Sequence, residues 1–218
     1  MKVELISYTQ PAGKLENTGI QGPKELIAYC ARISNPANQM NTATSDKLLK
    51  YLKKHKHWSP FEMVDVTLEI VTTRDIARQM LRHRSCSFQE FSQRYSNVEE
   101  LGEIFEFSDA RLQDEKNRQN SIDVNDPVLN SKWQEMQEKI ANASFEIYKQ
   151  ALELGIAKEV ARKVLPEGLT KSRLFMKGSI RSWIHYLETR GPGSGTQKEH
   201  EAVATEIAKV ISTIFTID

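Results

Sequence analysis

The sequence predicts one α+β domain over residues 1–218. Residues 62–71 alternate between apolar and polar side chains, which is typical of a half-buried strand. Residues 133–154 and 180–190 instead repeat apolar side chains every three to four positions, as amphipathic helices do. No internal repeat or flexible linker divides the 218 residues, and a chain of this length can bury a sizeable core.

Local patterns predict the elements of the N-terminal half. Val3, Leu5 and Ser7 alternate with polar neighbours and indicate a first strand. Two amphipathic helices are predicted over 23–34 and 45–57, the first with Pro23 in its opening turn and the second with Ser45 as N-cap. The strand over 62–71 then leads into a helix over 72–84, whose polar side chains share one surface.

The C-terminal half begins with a polar, turn-rich stretch over 96–130, which we expect to be a long loop or insertion. A functional loop and a disordered segment are equally compatible with it. The elements predicted after it are helices over 133–154 and 156–165, a short strand over 169–178, and helices over 180–190 and 196–215. Gly155, Pro166 and the segment GPGSG (191–195) separate these elements.

Composition excludes several classes of protein. With 39% hydrophobic and 27% charged residues, the chain does not have the composition of a disordered protein. It also lacks the run of ~20 apolar residues that a membrane helix needs. The N-terminus lacks a signal-peptide pattern and two cysteines indicate no disulfide framework, so we expect a cytoplasmic protein. A net charge of +1 argues against a nucleic-acid binder.

The densest polar segment is RHRSCSFQEFSQRY, residues 82–95, with three arginines, one histidine and three serines. In a nearly neutral chain this local charge favours a small anionic ligand, because arginine forks and serine hydroxyls match phosphate and carboxylate groups. The side chains predicted to form a phosphate cradle are Arg82, Arg84, Ser92 and Arg94. The alternative is a network of surface salt bridges with Glu90, Glu99 and Glu100.

Two residues of this segment invite a chemical interpretation. His83 lies between two arginines, so we expect a low pKa and a neutral imidazole. Nearby arginines would also lower the pKa of Cys86 and favour a nucleophilic thiolate. No basic partner stands at a useful spacing, however, and the structural role of Cys86 is the favoured one.

Other candidate motifs are weak. His55 and His57 are close in sequence, but no further ligands complete a metal site, so none is predicted. The segment GPGSG follows a helix instead of opening one, which does not support a dinucleotide-binding fingerprint.

Four segments together resemble the flavin-dependent thymidylate synthase family. The first is Arg82-His83-Arg84, seven residues and then Ser92. The others are HWSPFE (57–62), ARKVLP (161–166) and SIRSWIHYLETR (179–190), which is followed by Thr196-Gln197-x-Glu199. Their order and approximate spacing agree with the family over nearly the whole chain.

The resemblance implies an enzyme that makes dTMP from dUMP. Methylenetetrahydrofolate would give the one-carbon unit, reduced FAD the hydride, and NADPH would reduce the flavin again. It also implies an antiparallel sheet flanked by helices and a homotetramer with active sites between subunits. Phosphates and carboxylates on these small molecules explain a concentrated arginine site in a nearly neutral protein.

The resemblance also assigns residues to ligands. Those matching dUMP-binding positions are Gln79, Arg82, Glu90, Phe91, Ser92, Gln93, Arg94, Arg162 and Arg190. Those matching FAD-binding positions are Ser59, Arg82, His83, Arg84, Glu90, Ser179, Arg181 and His185. Arg190 is the expected catalytic residue, because a fixed cation facing the uracil ring would stabilise the ring anion.

The chain departs from the family at several positions. The family usually has Asn where Gln89, Ser179 and His185 stand and often Gly where Gln93 stands, and the segment 97–130 has no place in its pattern. Two other functions remain open. One is a nucleic-acid-binding module that uses the arginine-rich helix, and the other is a cysteine-dependent thymidylate synthase with Cys86 as nucleophile.

Overall fold

A four-stranded antiparallel sheet forms the centre of the computed structural model, which describes residues 1–216. Within this range the strands are β1 (Lys2–Tyr8), β2 (Asp65–Thr73), β3 (Ser87–Glu90), β4 (Arg111–Gln113), β5 (Ser121–Asp123) and β6 (Lys171–Ser179). The sheet order is β1-β2-β6-β3, and β4 and β5 form a separate hairpin. The last two residues of the predicted domain, Ile217 and Asp218, lie outside the described residues.

Helices flank the sheet, which confirms the predicted α+β class with an antiparallel sheet. In residues 1–216 they are α1 (Pro23–Ala31), α2 (Ser45–Lys54), α3 (Arg74–Met80), α4 (Pro127–Glu153), α5 (Lys158–Ala161), α6 (Ile180–Arg190) and α7 (Lys198–Ser212). Among them no helix is long and apolar enough to cross a membrane.

The predicted alternation of β2 places its apolar face in the core. Val66, Leu68 and Ile70 are fully buried, while the residues between them are only partly buried. Leu68 is paired with Leu5 of β1 on one side and with Met176 of β6 on the other. Because β2 lies between two strands, its backbone donors and acceptors are satisfied on both edges.

The predicted helix over 72–84 is shorter than expected, and it is followed by a strand that was not predicted. The helix α3 ends at Met80, and residues 87–90 form β3. Phe88 of β3 pairs with Met176 of β6. A four-residue strand has too little alternation to be recognised locally, and this one is stabilised by a partner almost ninety positions away in sequence.

The expected loop over 96–130 contains several short elements. It includes a 3-10 turn over Val98–Leu101 and the β4–β5 hairpin, and it ends in the first residues of α4. The helix α4 starts at Pro127, six residues before the predicted start, because Asp126 caps it through Val128 N (2.9 Å) and Leu129 N (3.0 Å). Its predicted end is confirmed, with Gly155 in the left-handed region at φ 78°.

Four other predicted helices are shorter in the structure. The segment 45–57 is helical only over Ser45–Lys54, and Ser45 is its first helical residue and not its N-cap, which is Thr44. The segment 23–34 is helical only to Ala31 and then continues as a 3-10 turn. The segment 156–165 contains α5 and a 3-10 turn over Arg162–Val164. The last predicted helix, 196–215, corresponds to α7 (Lys198–Ser212). Helix ends depend on caps and tertiary contacts, which apolar periodicity does not record.

Candidate active site

Most of the predicted site residues lie in or beside three regions. The arginine concavity is a polar depression of about 430 Å³ lined by Arg74, Arg78, Glu90, Phe91, Ser92, Gln93 and Arg162. The lysine cleft, of about 700 Å³, is lined by lysines next to α2 and by the exposed face of α6. The histidine cluster comprises Gln79, His83, Tyr186, Arg190 and His200, which are connected by hydrogen bonds and ring contacts.

Glu90 organises the arginine concavity. Its carboxylate accepts two hydrogen bonds from Arg78, at 3.2 and 3.3 Å, and one from the Ser172 hydroxyl at 2.7 Å. Arg74 lies 3.7 Å from the same carboxylate, and burial together with the neighbouring Arg78 lowers the pKa of Arg74. The lining thus contains three arginines, Arg162 included, and one carboxylate. Arg78 also pairs with Glu167 at 3.3 Å, and the concavity still keeps an excess of positive charge.

Gln93 supplies an unsatisfied donor in the arginine concavity. The residue is only 3% exposed, and its Nε2 has no hydrogen-bond partner in the part of the chain that the structure describes. A buried amide left without a partner costs about 1–3 kcal/mol, so such a group in a concavity indicates a missing acceptor. A phosphate or carbonyl oxygen would supply it.

The remaining arginines of the segment 82–95 behave differently from one another. Arg94 is exposed and pairs with Glu159 at 3.2 Å, outside the lining of the concavity. Arg82 and Arg84 are exposed and form no salt bridge within residues 1–216. The alternative of a salt-bridge network within the segment is wrong for Glu90, whose partners come from α3. Unpaired arginines remain available to an anionic ligand.

His83 is held neutral by its surroundings. The Arg190 Nε donates a hydrogen bond to His83 Nε2 at 3.1 Å, so this ring nitrogen must be an acceptor. The pKa of His83 is lowered to about 4, first by burial and then by Arg190, His185 and Arg82. The expected low pKa is confirmed, but burial contributes more than the flanking arginines on which the expectation depended.

Arg190 ends α6 with its side chain turned toward His83. A second guanidinium nitrogen lies 3.3 Å from the Thr196 hydroxyl. The chain leaves the helix at Gly191, where a Cβ would come within 2.5 Å of the Leu187 carbonyl oxygen. As helical periodicity predicts, Arg190 thus lies on the opposite side of α6 from Arg181 and His185.

The lysine cleft combines positive charge with an apolar wall. Lys53, Lys54, Lys56 and Arg181 line it together with Trp58 and Ile184. Opposite them, Glu62 accepts hydrogen bonds from the Ser179 hydroxyl and from Arg181 (2.6 Å), and these contacts lower the pKa of Glu62. A volume of this size and such a lining fit a flat ring system that carries phosphates.

The predicted FAD residues are not all in one place. Arg181 and His185 line the lysine cleft, and Ser179 contacts its Glu62. Glu90 belongs to the arginine concavity. Ser59, Arg82, His83 and Arg84 line neither region. Of the predicted dUMP residues, the concavity gathers five: Glu90, Phe91, Ser92, Gln93 and Arg162. Gln79 and Arg190 belong to the histidine cluster.

Cys86 does not have the environment of a nucleophile. Burial raises the pKa of its thiol above the ordinary value, so the expectation that arginines would lower this pKa is wrong. The sulfur lies against β6, where a Cβ added to Gly178 would be 3.0 Å from it. Packing against β6 therefore explains the presence of Cys86 at this position.

Several residues of these regions were not predicted. Arg74 and Arg78 follow each other at a helical spacing just before the segment 82–95, a signal that was visible in the arginine density. Glu62 lies in the HWSPFE segment, but its contacts with Ser179 and Arg181 join parts of the chain more than 110 residues apart. His200 and Tyr186 carry no local signal, because apolar helix faces contain them.

Comparison with known proteins agrees with this geometry. Residues 14–215 match the thymidylate synthase complementing protein family. A probable flavin-dependent thymidylate synthase of Paramecium bursaria Chlorella virus 1 is 49% identical over 210 residues, which cover 96% of this chain and 93% of the relative. The flavin-dependent thymidylate synthase of Synechocystis is also 49% identical, with 96% and 94% covered.

A solved structure shares the fold. The UMP/dUMP methylase PolB of Streptomyces cacaoi, bound with 5-Br dUMP, superposes with a TM-score of 0.79 at 25% identity, covering 98% of this chain and 90% of that one. The family model, the two relatives and the solved structure all match nearly the whole of this chain. The chain belongs to the flavin-dependent thymidylate synthase family.

Proposed function

We propose that the protein is a flavin-dependent thymidylate synthase that converts dUMP to dTMP. Methylenetetrahydrofolate is the one-carbon donor and NADPH the reductant of the flavin. The observation that carries the proposal is the arginine concavity, whose lining includes three arginines and the buried Gln93, whose amide nitrogen has no partner within residues 1–216. A nucleotide phosphate satisfies this amide and the excess charge together.

In the concavity, Arg162 and the arginines of α3 bind the dUMP phosphate, while Ser92 and Gln93 donate hydrogen bonds to it. Phe91 adds an apolar contact. Arg94 takes part by exchanging its exposed partner Glu159 for the phosphate. The phosphate charge does not change during the reaction, so these contacts stabilise bound substrate and transition state about equally.

Arg190 carries the electrostatic part of the mechanism. A guanidinium stays protonated at any ordinary pH, so it cannot act as a base. Its role is to stabilise negative charge on the uracil ring, which makes the ring carbon that accepts the methylene group more nucleophilic. Neutral His83 holds the Arg190 guanidinium in position without competing for the negative charge on the uracil ring.

The lysine cleft is the proposed site for FAD, which supplies the hydride when bound. Arg181 and the three lysines bind its phosphates, and Trp58 offers a flat apolar surface. His185 and the Ser179–Glu62 pair fix polar groups around it. Arg82 and Arg84 form no salt bridge within residues 1–216. They therefore remain available to bind phosphates that approach from another subunit.

A homotetramer with active sites between subunits would reunite the separated residues. A second observation supports assembly: α4 exposes an apolar stripe of Trp133, Met136, Ile140 and Ile147, which are 37%, 63%, 53% and 51% exposed. Their spacing of three, four and seven residues places them on one face. Exposed apolar stripes of this kind favour self-association.

We also propose a cytoplasmic location, where NADPH and folate are found and the free thiols of Cys30 and Cys86 stay reduced.

The test begins with an absorbance spectrum of purified protein, in which bound oxidised flavin absorbs in the visible. A turnover assay then measures dTMP formation while dUMP, methylenetetrahydrofolate, FAD and NADPH are omitted one at a time. We expect dTMP only when dUMP, methylenetetrahydrofolate and NADPH are all supplied to protein that carries FAD, whether copurified or added back. Formation of dTMP without flavin contradicts the proposal, as does colourless protein that gains no activity when FAD is added.

A further inference from the structure

A hydrogen-bonded chain crosses the histidine cluster from the core to the surface. The hydroxyl of Tyr186 lies 2.9 Å from His200 Nε2, and His200 Nδ1 lies 3.1 Å from Gln79 Oε1. Gln79 Nε2 then donates to Gln197 Oε1 at 2.8 Å. Tyr186 and His200 are both fully buried, whereas the bond between the two glutamines is exposed.

The exposed end of the chain has a defined direction. Gln197 Oε1 accepts from Gln79 Nε2, because an amide oxygen has no proton to donate. Burial by itself would raise the pKa of the nearby Glu199 carboxyl, but hydrogen bonds, among them one from Arg111, lower it.

The same reasoning fixes the tautomer of His200. Because Gln79 donates through Nε2, its Oε1 must accept, and the proton lies on His200 Nδ1. His200 Nε2 then accepts from the Tyr186 hydroxyl. Burial, Arg190 and His83 lower the pKa of His200 to about 4, and burial raises the pKa of Tyr186, so neither group changes its protonation near neutral pH.

We propose that His200 and Tyr186 are positioning residues that lock the side-chain amide of Gln79 so that it meets the substrate only as a hydrogen-bond donor. This inference rests on the proposed function, in which Gln79 contacts dUMP. The uracil carbonyls and the phosphate all offer acceptor oxygens at the edges a glutamine can reach. A flipped amide would present its own oxygen to them and lose the bond.

The β4–β5 hairpin, which belongs to the segment 97–130, reaches the exposed end of the chain. Arg111 of the hairpin donates to Glu199 at 2.5 Å, and Glu199 follows Gln197 by two residues.

The central test is the substitution His200→Leu, which removes the donor to Gln79 and frees its amide to rotate. We expect the KM for dUMP to rise about 10-fold, as the loss of one well-made hydrogen bond implies, with kcat nearly unchanged. His200→Asn, whose amide nitrogen falls near the position of Nδ1, should restore most of the affinity. Tyr186→Phe keeps the ring and loses only the hydroxyl, so its KM should rise about 3-fold.

Tyr148→Phe is the matched control. Tyr148 of α4 is also fully buried, but its hydroxyl has no hydrogen-bond partner within residues 1–216 and lies in a separate apolar cluster. The KM for dUMP should therefore stay within about 2-fold of wild type in this variant. If the His200→Leu variant does not fold, the KM values of Tyr186→Phe and His200→Asn are compared with that of Tyr148→Phe to test the inference.

Nitrogen-15 NMR of ligand-free protein provides a readout that does not need activity. The imidazole signal that disappears in His200→Asn should be that of a neutral ring protonated on Nδ1. A ring protonated on Nε2, or an unchanged KM in folded His200→Leu, overturns the inference. Wild-type protein that neither binds nor converts dUMP overturns the proposed function instead, and the NMR spectrum distinguishes the two failures.

Discussion

The arginine concavity and the histidine cluster handle charge in opposite ways. The concavity collects three arginines around one carboxylate near the surface, where Glu90 shares its oxygens between Arg74 and Arg78. The cluster contains one cation, Arg190, among neutral side chains whose hydrogen-bond directions are fixed. Charge in the concavity can change partners when a ligand arrives, whereas charge in the cluster is preorganised.

This difference separates two functions within one nucleotide site. The exposed Arg94–Glu159 pair contributes only about 0–1 kcal/mol, so exchanging its glutamate for a phosphate costs little. A cation held among neutral groups away from water needs no rearrangement when negative charge develops beside it. We therefore expect substitutions in the concavity to change binding and the loss of Arg190 to change turnover.

Arg190→Ala should have the strongest effect. It removes the only cation of the cluster, and we expect turnover at saturating dUMP to fall about 100- to 1,000-fold, the scale observed when one preorganised charge-stabilising group is lost. Lysine should restore little, because it lacks the planar fork that contacts His83 and Thr196 together. Steady-state kinetics on protein with a normal flavin spectrum measures the effect.

The control for this variant is thermal unfolding. If Arg190→Ala turns over normally and merely melts a few degrees earlier, Arg190 is a cap at the C-terminus of α6. The distinction between the two regions would then be wrong.

A second prediction concerns acid stability and tests the neutrality of the cluster. The pKa of His200 is about 4 in the folded protein and about 6.5 in an unfolded chain. Between these values only the unfolded state binds the proton, so the free energy of unfolding falls as the pH drops from 6.5 to 4. We expect His200 to account for about 2–3 kcal/mol of this loss, because each tenfold difference in proton affinity corresponds to about 1.4 kcal/mol.

Denaturant unfolding of wild type and His200→Asn between pH 7 and 4 measures this contribution. The variant should show a shallower pH dependence, since it cannot take up the proton. The same substitution at the exposed His55 is the control and should leave the slope as in wild type. Equal slopes for wild type and His200→Asn would mean that His200 is not buried in its neutral form.

The third prediction compares two arginines of the phosphate site. Arg162 lines the concavity, and Arg162→Ala should raise the KM for dUMP about 10-fold with a smaller change in kcat, because uniform binding is lost. Arg94 starts from a salt bridge with Glu159, so Arg94→Ala should cost only about 3-fold in KM. Direct dUMP titrations of both variants check the order. A larger loss for Arg94 would place the phosphate nearer Glu159 than to the concavity.

Cys86→Ser should change the enzyme least. A half-buried thiol with a raised pKa is protonated at neutral pH and plays no nucleophilic part. Activity should stay within about 2-fold of wild type, a typical result away from reacting groups. Loss of several orders of magnitude with flavin still bound would revive the covalent mechanism through Cys86.

Much of the candidate site was predictable from the sequence, because its residues come in dense local motifs. The segment 82–95 stands out by its arginines and serines, and five of the expected dUMP residues do meet in one concavity. The expected FAD residues were harder to judge. They divide between the lysine cleft and surfaces elsewhere on the chain, and a sequence carries no information on which subunit completes a site.

Features that depend on neighbours along the chain follow from the order of the amino acids alone: the α+β class, the alternation of β2, the stop of α4 at Gly155 and the end of α6 at Gly191. Features that depend on distant partners required the folded chain. Folding paired β3 with β6, raised the pKa of Cys86 where sequence neighbours suggested the opposite, and joined Tyr186, His200 and Gln79 across three helices. Periodicity and capping act within one or two turns, whereas burial and hydrogen-bond direction depend on everything packed around a group.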